Sequence, residues 1–187
     1  MRWAGRPLDA PLRDLLEAFF EDDLAAVRVH RGVGARLLTA LLGASAVALG
    51  RRVFVSPAGA RRLAARGASG VGLAAHEVVH VLQYRRHGTI AMLWRYLVDY
   101  LRGRRARLGH HASYRGIGFE CAAREVGERL WELIAADGEA IGRLAAGDEL
   151  PATTRRRAAE LGRRLRCGPS PAPARGAGEH AGQPPDR

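Results

Sequence analysis

Two histidines spaced four residues apart, His76 and His80, stand in the stretch LAAHEVVHVLQ with Glu77 beside the first of them. In an α-helix, residues i and i+4 lie one above the other, so both imidazoles can face a single ion. Each helical step turns by about 100°, which directs Glu77 toward a neighbouring water molecule and leaves the ion to the histidines. The spacing therefore predicts a zinc helix in which His76 and His80 bind Zn²⁺ and Glu77 is the catalytic general base.

A catalytic zinc ion has three protein ligands and one open position, so the chain should supply a third ligand elsewhere. Glu120 is the preferred candidate, because it opens a helical segment that carries Ala123 and Gly127 on the same face. Small residues on that face would let this helix approach the zinc helix closely. A favourable charge at a helix N-terminus is the competing explanation for Glu120. The alternative third ligands are Glu125, His110 and His111.

The spacing of apolar residues around these side chains predicts a mainly α (α+β) fold. Ser56 and Ser69 are predicted helix N-caps, and Gly88 should end the zinc helix. Two strands, over 25–32 and 51–57, should form a small β element before the zinc helix and pair with each other. Helices are predicted over residues 10–24, 33–44, 56–67, 71–86, 89–103, 119–136 and 152–166, and a glycine-punctuated basic loop over 102–118.

The order of these elements divides the chain into four segments. Residues 1–25 form an N-terminal helix, 26–135 a metallopeptidase-like domain with the HExxH pattern, and 136–166 a C-terminal helical segment. Residues 167–187 are rich in proline and glycine and have almost nothing to bury, which predicts a disordered tail.

The net charge of +11 indicates an acidic partner, such as nucleic acid or an anionic surface. All 30 basic residues are arginine, however, in a chain that is also crowded with alanine, glycine and leucine. This composition is typical of G·C-rich coding, which adds arginine without selecting for phosphate contacts. Nucleic acid is therefore not the expected partner.

Two cysteines, Cys121 and Cys167, are too few for a disulfide framework or a four-cysteine zinc ribbon, and they indicate a reducing compartment. Acidic residues interrupt the apolar run near the N-terminus, unlike in a signal peptide. The most apolar stretch, residues 37–50, is shorter than the roughly 20 residues that a spanning helix needs. We expect a cytoplasmic protein without a membrane span, whose export, if it occurs, needs no signal peptide.

The motifs VRVHRG, AVALGRRVFVSP, LAAHEVVHVLQYRR and YRGIGFECAARE together resemble the eCIS core family, a zinc metallopeptidase-type domain encoded with bacterial contractile injection systems. The resemblance covers about residues 26–128. It implies a gluzincin-like helical domain in which His76 and His80 bind zinc, Glu77 is the base, and Glu120 lies at the downstream acidic motif. It also implies injection-system or toxin components as partners.

Two further residues of these motifs receive a structural interpretation. His30 matches a family position in VRVHRG, and we expect it to be a buried, hydrogen-bonded structural histidine. Tyr114 has the chemistry to stabilise an oxyanion, but a structural tyrosine is the preferred interpretation. The stretch VLQYRR replaces the family's more usual run of glutamines after the second histidine, which changes the expected lining of the substrate cleft.

Three functions are consistent with these residues. The first is a zinc-dependent metalloendopeptidase that hydrolyses a peptide or protein substrate with a metal-activated water. The second is a non-catalytic, zinc-stabilised docking or effector module, which would not need Glu77. The third is a DNA-associated metalloprotease of the SprT-like type, favoured by the arginines within 102–107 and 155–166 and disfavoured by the missing cysteine ribbon.

Overall fold

The computed structural model describes residues 5–167, which form nine helices and four short strands. The strands are β1 (Arg6–Pro7), β2 (Arg28–His30), β3 (Ala46–Leu49) and β4 (Arg52–Val55). The helices are α1 (Ala10–Phe20), α2 (Val33–Leu41), α3 (Pro57–Ala64), α4 (Ala68–His87), α5 (Thr89–Arg105), α6 (His110–Arg115), α7 (Gly118–Ala135), α8 (Gly138–Ala146) and α9 (Ala152–Cys167). The predicted mainly α (α+β) class is confirmed.

The strands form one sheet in the order β1-β2-β4-β3. The two predicted strands, β2 and β4, are neighbours and run parallel, with Val29 opposite Val53. Strand β3 was not predicted, because its four residues AVAL are short and follow a helical segment directly. Gly50, with φ of 60°, supplies the left-handed residue that turns β3 back antiparallel to β4. The sheet therefore ends in an edge strand, β3.

A single hydrophobic core unites the sheet with α1, α4 and the C-terminal helices. Removing each large side chain in it from water contributes about 1.5–3 kcal/mol. Its most buried members include Leu15, Leu16, Phe19, Val55, Val78, Leu130, Ile134 and Leu144. Residues from the predicted segments 1–25, 26–135 and 136–166 thus pack together in this core.

Helix α4 carries the HExxH pattern and runs through the centre of the described structure. It begins at Ala68 after Gly67, so the predicted N-cap Ser69 is wrong and lies inside the first turn. Gly88 ends the helix as predicted, with φ of 77° and its N–H bonded to the carbonyl of Tyr84 at 2.9 Å. The predicted cap of α3 is confirmed, because the Ser56 hydroxyl accepts a hydrogen bond from the N–H of Gly59 at 3.1 Å.

Helices α4 and α7 cross at two glycines. A Cβ added to Gly127 would lie 2.8 Å from the carbonyl oxygen of Gly72, and one added to Gly72 would lie 3.0 Å from that of Gly127. Such distances leave no room for a side chain, so the two backbones touch. The predicted close approach of the helix with Glu120 to the helix with His76 and His80 is confirmed.

The predicted basic loop over 102–118 is wrong, since α5 continues to Arg105 and α6 fills residues 110–115. Asp99 pairs with Arg102 at 3.1 Å and supports the last turns of α5. Gly103 packs directly on Ser113, where a Cβ would meet atoms at 2.9 Å. The glycine that suggested a loop therefore allows two helices to pack.

The predicted disordered tail, 167–187, lies outside the described residues except for Cys167, which ends α9. Among the helices of residues 5–167, none has both the length and the hydropathy to cross a membrane.

Candidate metal centre

His76, His80 and Glu120 converge at the crossing of α4 and α7. The Nε2 atoms of the two histidines are 3.2 Å apart. The Glu120 carboxylate oxygens lie 3.5 Å from Nε2 of His76 and 3.4 Å from Nε2 of His80. Two neutral imidazole nitrogens that face each other at this distance repel unless a proton or a cation lies between them. The three side chains therefore form a pocket for a positive charge.

The spacing of the two histidine nitrogens is that of neighbouring ligands of a small tetrahedral ion. Ligand atoms about 2.0–2.2 Å from a tetrahedral zinc are themselves about 3.3–3.6 Å apart. The Nε2 atoms of His76 and His80 are 3.2 Å apart, and each has a different oxygen of Glu120, Oε2 and Oε1 respectively, at 3.5 and 3.4 Å. Within residues 5–167, this is the one group of three histidine, cysteine or acidic side chains that brings its donor atoms together. The group could hold a metal ion.

Burial leaves the group open on one side. The side chains of His80 and Glu120 are 6% and 5% exposed, whereas that of His76 is 24% exposed. The position of His76 follows from the crossing, because its Cβ lies 3.4 Å from where a Cβ of Gly127 would be. A site with two shielded donors and one accessible donor can admit both an ion and a further ligand from solvent.

Gln83 fixes the tautomer of His80. Its amide nitrogen donates to the carbonyl oxygen of Phe119 at 3.3 Å, so its amide oxygen must face His80, where it lies 2.9 Å from Nδ1. A carbonyl oxygen can only accept, which makes Nδ1 of His80 the donor. When the ring is neutral, Nε2 carries the lone pair and faces His76 and Glu120, as a metal ligand would require.

Two tyrosines hold the carboxylate of Glu120. The hydroxyls of Tyr96, on α5, and Tyr114, on α6, each donate to Oε1 at 2.7 Å. Tyr96 also stacks at a tilt against Phe119, with ring centroids 5.9 Å apart, which fixes its ring. These bonds orient the carboxylate of Glu120, and the Tyr96 hydroxyl also lies 3.3 Å from Nδ1 of His80. The structural interpretation of Tyr114 stays a prediction, although the tyrosine does contact a site residue.

The electrostatics of the group favour an ionised carboxylate. Burial by itself raises the pKa of Glu120, but hydrogen bonds with His76, His80 and Tyr114 outweigh it and hold that pKa well below its ordinary value. Burial lowers the pKa of His80, and its hydrogen bond to Glu120 outweighs burial and raises that pKa. The carboxylate therefore stays negative, and a cation at this place would be paired with it.

Glu77 lies beside the group but does not belong to it. Its residue is 4% exposed, and its Oε2 atom has no hydrogen-bond partner among residues 5–167. Burial raises its pKa, while the nearby His80 and His76 and a hydrogen bond with the backbone of Ala48 act in the opposite direction. A buried carboxylate oxygen without a partner costs free energy. This oxygen, beside the donor group, is available to hydrogen-bond a further polar group.

The other predicted candidates lie elsewhere. Glu125 and His111 are exposed, and His110 bonds through Nδ1 to the hydroxyl of Tyr100 at 2.9 Å. None of the three belongs to the donor group found in residues 5–167. His30 is buried as predicted and stacks on Phe54 with ring centroids 5.0 Å apart. Its Nε2 has no hydrogen-bond partner in the described part of the chain, so the predicted bond is not seen at that atom.

Sequence reasoning missed two residues of this site, Gln83 and Tyr96. The signal for Gln83 was its position three residues after His80, which places it on the same helix face. Tyr96 gave no local signal, because its helix is apolar on most sides in sequence. Its role depends on how α5 packs on α4 and α7.

Comparison with known families gives a match that includes part of this site. Residues 7–88 match the family model of the eCIS core domain. The match includes His76, Glu77 and His80 and ends before Glu120, so it begins and ends earlier than the resemblance over 26–128. No match was found among curated proteins or among solved structures. Residues 7–88 are therefore similar to the eCIS core domain.

Proposed function

We propose that the chain is a zinc-dependent metalloendopeptidase, in which His76, His80 and Glu120 hold Zn²⁺. The observation that carries the proposal is the pairing of a cation pocket with Glu77, a buried carboxylate whose Oε2 has no partner. Two imidazole nitrogens and one carboxylate form a donor set typical of catalytic zinc. When bound there, zinc would act as a Lewis acid and lower the pKa of a water molecule to about 7.

Glu77 has the environment of a general base. Burial raises the pKa of Glu77 above that of an exposed carboxyl, which makes its carboxylate a stronger base. A docking module stabilised by metal has no use for such a group, and an apolar residue at this buried position would cost less. The choice of glutamate therefore supports catalysis over docking.

The sheet supplies a place for an extended peptide. Strand β3 is an edge strand, and the backbone of Ala48 within it is hydrogen-bonded to Glu77. An edge strand can pair with another extended chain through the backbone N–H and C=O groups that its own sheet does not use, here those other than the Ala48 group bonded to Glu77. A peptide added along β3 would pass beside Glu77, which supports a peptide or an unfolded protein segment as the substrate.

The family match supports an injection-system setting for this activity. It covers β2, β3, β4, α1 and all of α4, and thus includes Glu77 together with the two histidines. We therefore propose that the substrate or partner is a component or cargo of such a system.

The substitution Glu77→Gln tests the proposal. Glutamine keeps the size and polarity of the side chain but cannot take up a proton, so zinc should stay at one ion per chain while peptide hydrolysis falls by about 10²–10⁴-fold. The matched control is Glu125→Gln, the same change at an exposed position of α7. Zinc content would be measured by mass spectrometry and cleavage with a quenched peptide library. Stoichiometric zinc with no cleavage by the wild type would overturn the peptidase assignment in favour of docking.

A further inference from the structure

Helix α5 presents a continuous apolar face to solvent. Five large side chains on it are 42–86% exposed, and they recur at the i, i+3, i+4, i+7 and i+11 spacing of one helix face. This face, which we name the α5 stripe, is about 16 Å long. It consists of Ile90, Leu93, Trp94, Leu97 and Leu101. A contiguous exposed face of this kind marks an interaction site.

The fold itself uses the opposite face of α5. Met92 is 1% exposed, and the hydroxyl of Tyr96 bonds to Glu120. Asp99, the acidic residue of α5, also lies on that inner face, where it bonds to Arg102 and to the N–H of Gly118. The apolar side chains of the α5 stripe therefore do not contribute to the core.

Basic side chains lie near both ends of the stripe. Arg104 and Arg105 follow it at the C-terminal end of α5, 14 and 15 residues after Ile90, which places them within about 60° of the stripe around the helix. Both are exposed, and among residues 5–167 neither forms an ion pair. At the other end, Arg86 on α4 is exposed just before Gly88. The stripe thus lies between basic groups.

This charge pattern argues against a second copy of the chain as the occupant. Parallel pairing of two α5 helices would place Arg104 and Arg105 beside the same residues of the partner. Antiparallel pairing would place them near the start of the other α5, where residues 88–98 contain no acidic side chain. Either arrangement brings like charges together. The stretch 168–187 contains no large apolar side chain, so it cannot complement the stripe.

We propose that the α5 stripe docks on an anionic lipid surface. A helix that lies in the plane of a bilayer interface needs an apolar face with leucine and tryptophan, and basic groups that reach lipid phosphates. Trp94, near the middle of the stripe, suits the boundary between headgroups and acyl chains. Arg104 and Arg105 complement negative headgroups. Docking in this orientation would hold the metal centre on the far side of α5, about one helix diameter from the lipid.

The test uses the full chain and unilamellar vesicles, one set of pure phosphatidylcholine and one with added phosphatidylserine. Wild type should float with the anionic vesicles and show a blue shift of tryptophan fluorescence, and should bind pure phosphatidylcholine weakly. The double substitution Leu93→Ser with Leu97→Ser keeps Trp94 as the reporter and should weaken binding by at least about tenfold. Arg104→Gln and Arg105→Gln should each weaken it by about fivefold, on anionic vesicles alone.

A second exposed apolar face provides the matched control. Val33 and Leu37 on α2 are 81% and 71% exposed. Changing both to serine removes similar apolar surface and should leave vesicle binding unchanged. Because all substituted side chains are exposed, melting temperature and zinc content should match those of wild type. The proposal is overturned if wild type stays off anionic vesicles, if the α2 variant loses binding as the stripe variant does, or if the arginine variants bind as wild type does.

Discussion

The side-chain oxygen of Gln83 lies 2.9 Å from Nδ1 of His80, and the amide nitrogen of the same side chain bonds to the backbone of α7 at Phe119. One amide therefore orients His80, a proposed metal ligand, and links α4 to the helix that carries Glu120. We expect Gln83→Ala to lower zinc affinity by about 10–100-fold, as loss of such an outer hydrogen bond does elsewhere. Competition with a chromogenic chelator measures this, with the exposed Arg86→Ala as control.

Gln83→Glu separates the two bonds of Gln83. A carboxylate still accepts from Nδ1 of His80 but cannot donate to the carbonyl of Phe119. Zinc affinity should therefore stay closer to wild type than in Gln83→Ala, while the melting temperature falls. Equal zinc affinity in Gln83→Ala and wild type would show that the tautomer of His80 does not depend on this residue.

The three proposed ligands should behave alike. His76→Ala, His80→Ala and Glu120→Ala should each lose most of the bound zinc and should melt at lower temperature, because metal bound to the native state adds to its stability. Glu125→Ala removes a carboxylate from the surface of the same helix and should keep both properties. Metal analysis and thermal melts with and without a chelator make the comparison. Zinc retained in Glu120→Ala at the level of Glu125→Ala would contradict the assignment of Glu120.

The two tyrosines on Glu120 should differ in effect. Tyr96 is held between α5 and Phe119, whereas Tyr114 is 40% exposed and can swing away from the carboxylate. Loss of a hydrogen bond to a charged group costs about 1.5–3 kcal/mol. Tyr96→Phe should therefore lower zinc affinity by about tenfold or more. Tyr114→Phe should lower it less. Tyr100→Phe, which removes a hydroxyl bonded to His110, is the control and should leave zinc affinity unchanged.

The contact of Gly127 with Gly72 sets the distance between the ligand-bearing helices. In Gly127→Ala the new methyl group would press on a backbone carbonyl that cannot move aside, so we expect a loss of about 1–3 kcal/mol in unfolding free energy and weaker zinc binding. Gly142→Ala, in α8, meets nothing within 4 Å and should raise unfolding free energy by about 0.5–1 kcal/mol. Urea titrations and zinc affinities would be compared. Unchanged zinc binding in Gly127→Ala would show that the crossing does not control the site.

Asp137 gives the stability of the fold a pH dependence that does not involve the proposed metal site. Its carboxylate accepts hydrogen bonds from the N–H of Ala140 at 3.0 Å and from the hydroxyl of Thr154 at 2.8 Å, and these bonds lower its pKa, the backbone bond most. A lowered pKa stabilises the fold above the unfolded value, about 3.9, and this stability is lost as the pH falls through the folded value. Asp137→Ala should cost about 1 kcal/mol at pH 7 as a lost N-cap.

Asp137→Asn isolates the charge, since asparagine also caps helices. The difference in unfolding free energy between wild type and Asp137→Asn should be present at pH 7 and shrink toward zero in strong acid, where Asp137 is protonated. Urea unfolding across this pH range measures it. A difference that stays constant with pH would mean that the charge of Asp137 does not stabilise the fold.

Local patterns in the sequence predicted the parts of the site that depend on one helix. The spacing of His76 and His80 is a helical property, and the small face that begins at Ala123 predicted the approach of α7. Tyr96 could not be predicted, because α5 has apolar residues toward both solvent and protein, and the sequence alone does not say which face packs.

Strand β3 and helix α6 escaped prediction for a different reason. Both are short, and their residues favour their observed conformation only through contact with β4 and α5. Gly50 forms a hairpin turn, whereas Gly103 allows two helices to pack. Glycine signals conformational or steric freedom, and the tertiary structure decides which of the two is used.

On one side of helix α5, Trp94 faces solvent. On the other side Tyr96, only two residues away in the chain, is hydrogen-bonded to Glu120. At a side-chain radius of about 5–6 Å, a roll of the helix by 20° carries the surface by about 2 Å. The 2.7 Å bond between Tyr96 and Glu120 does not survive a displacement of that size. A partner on the outer face that turned α5 would therefore shift the hydrogen bond that orients Glu120, one of the three proposed metal ligands.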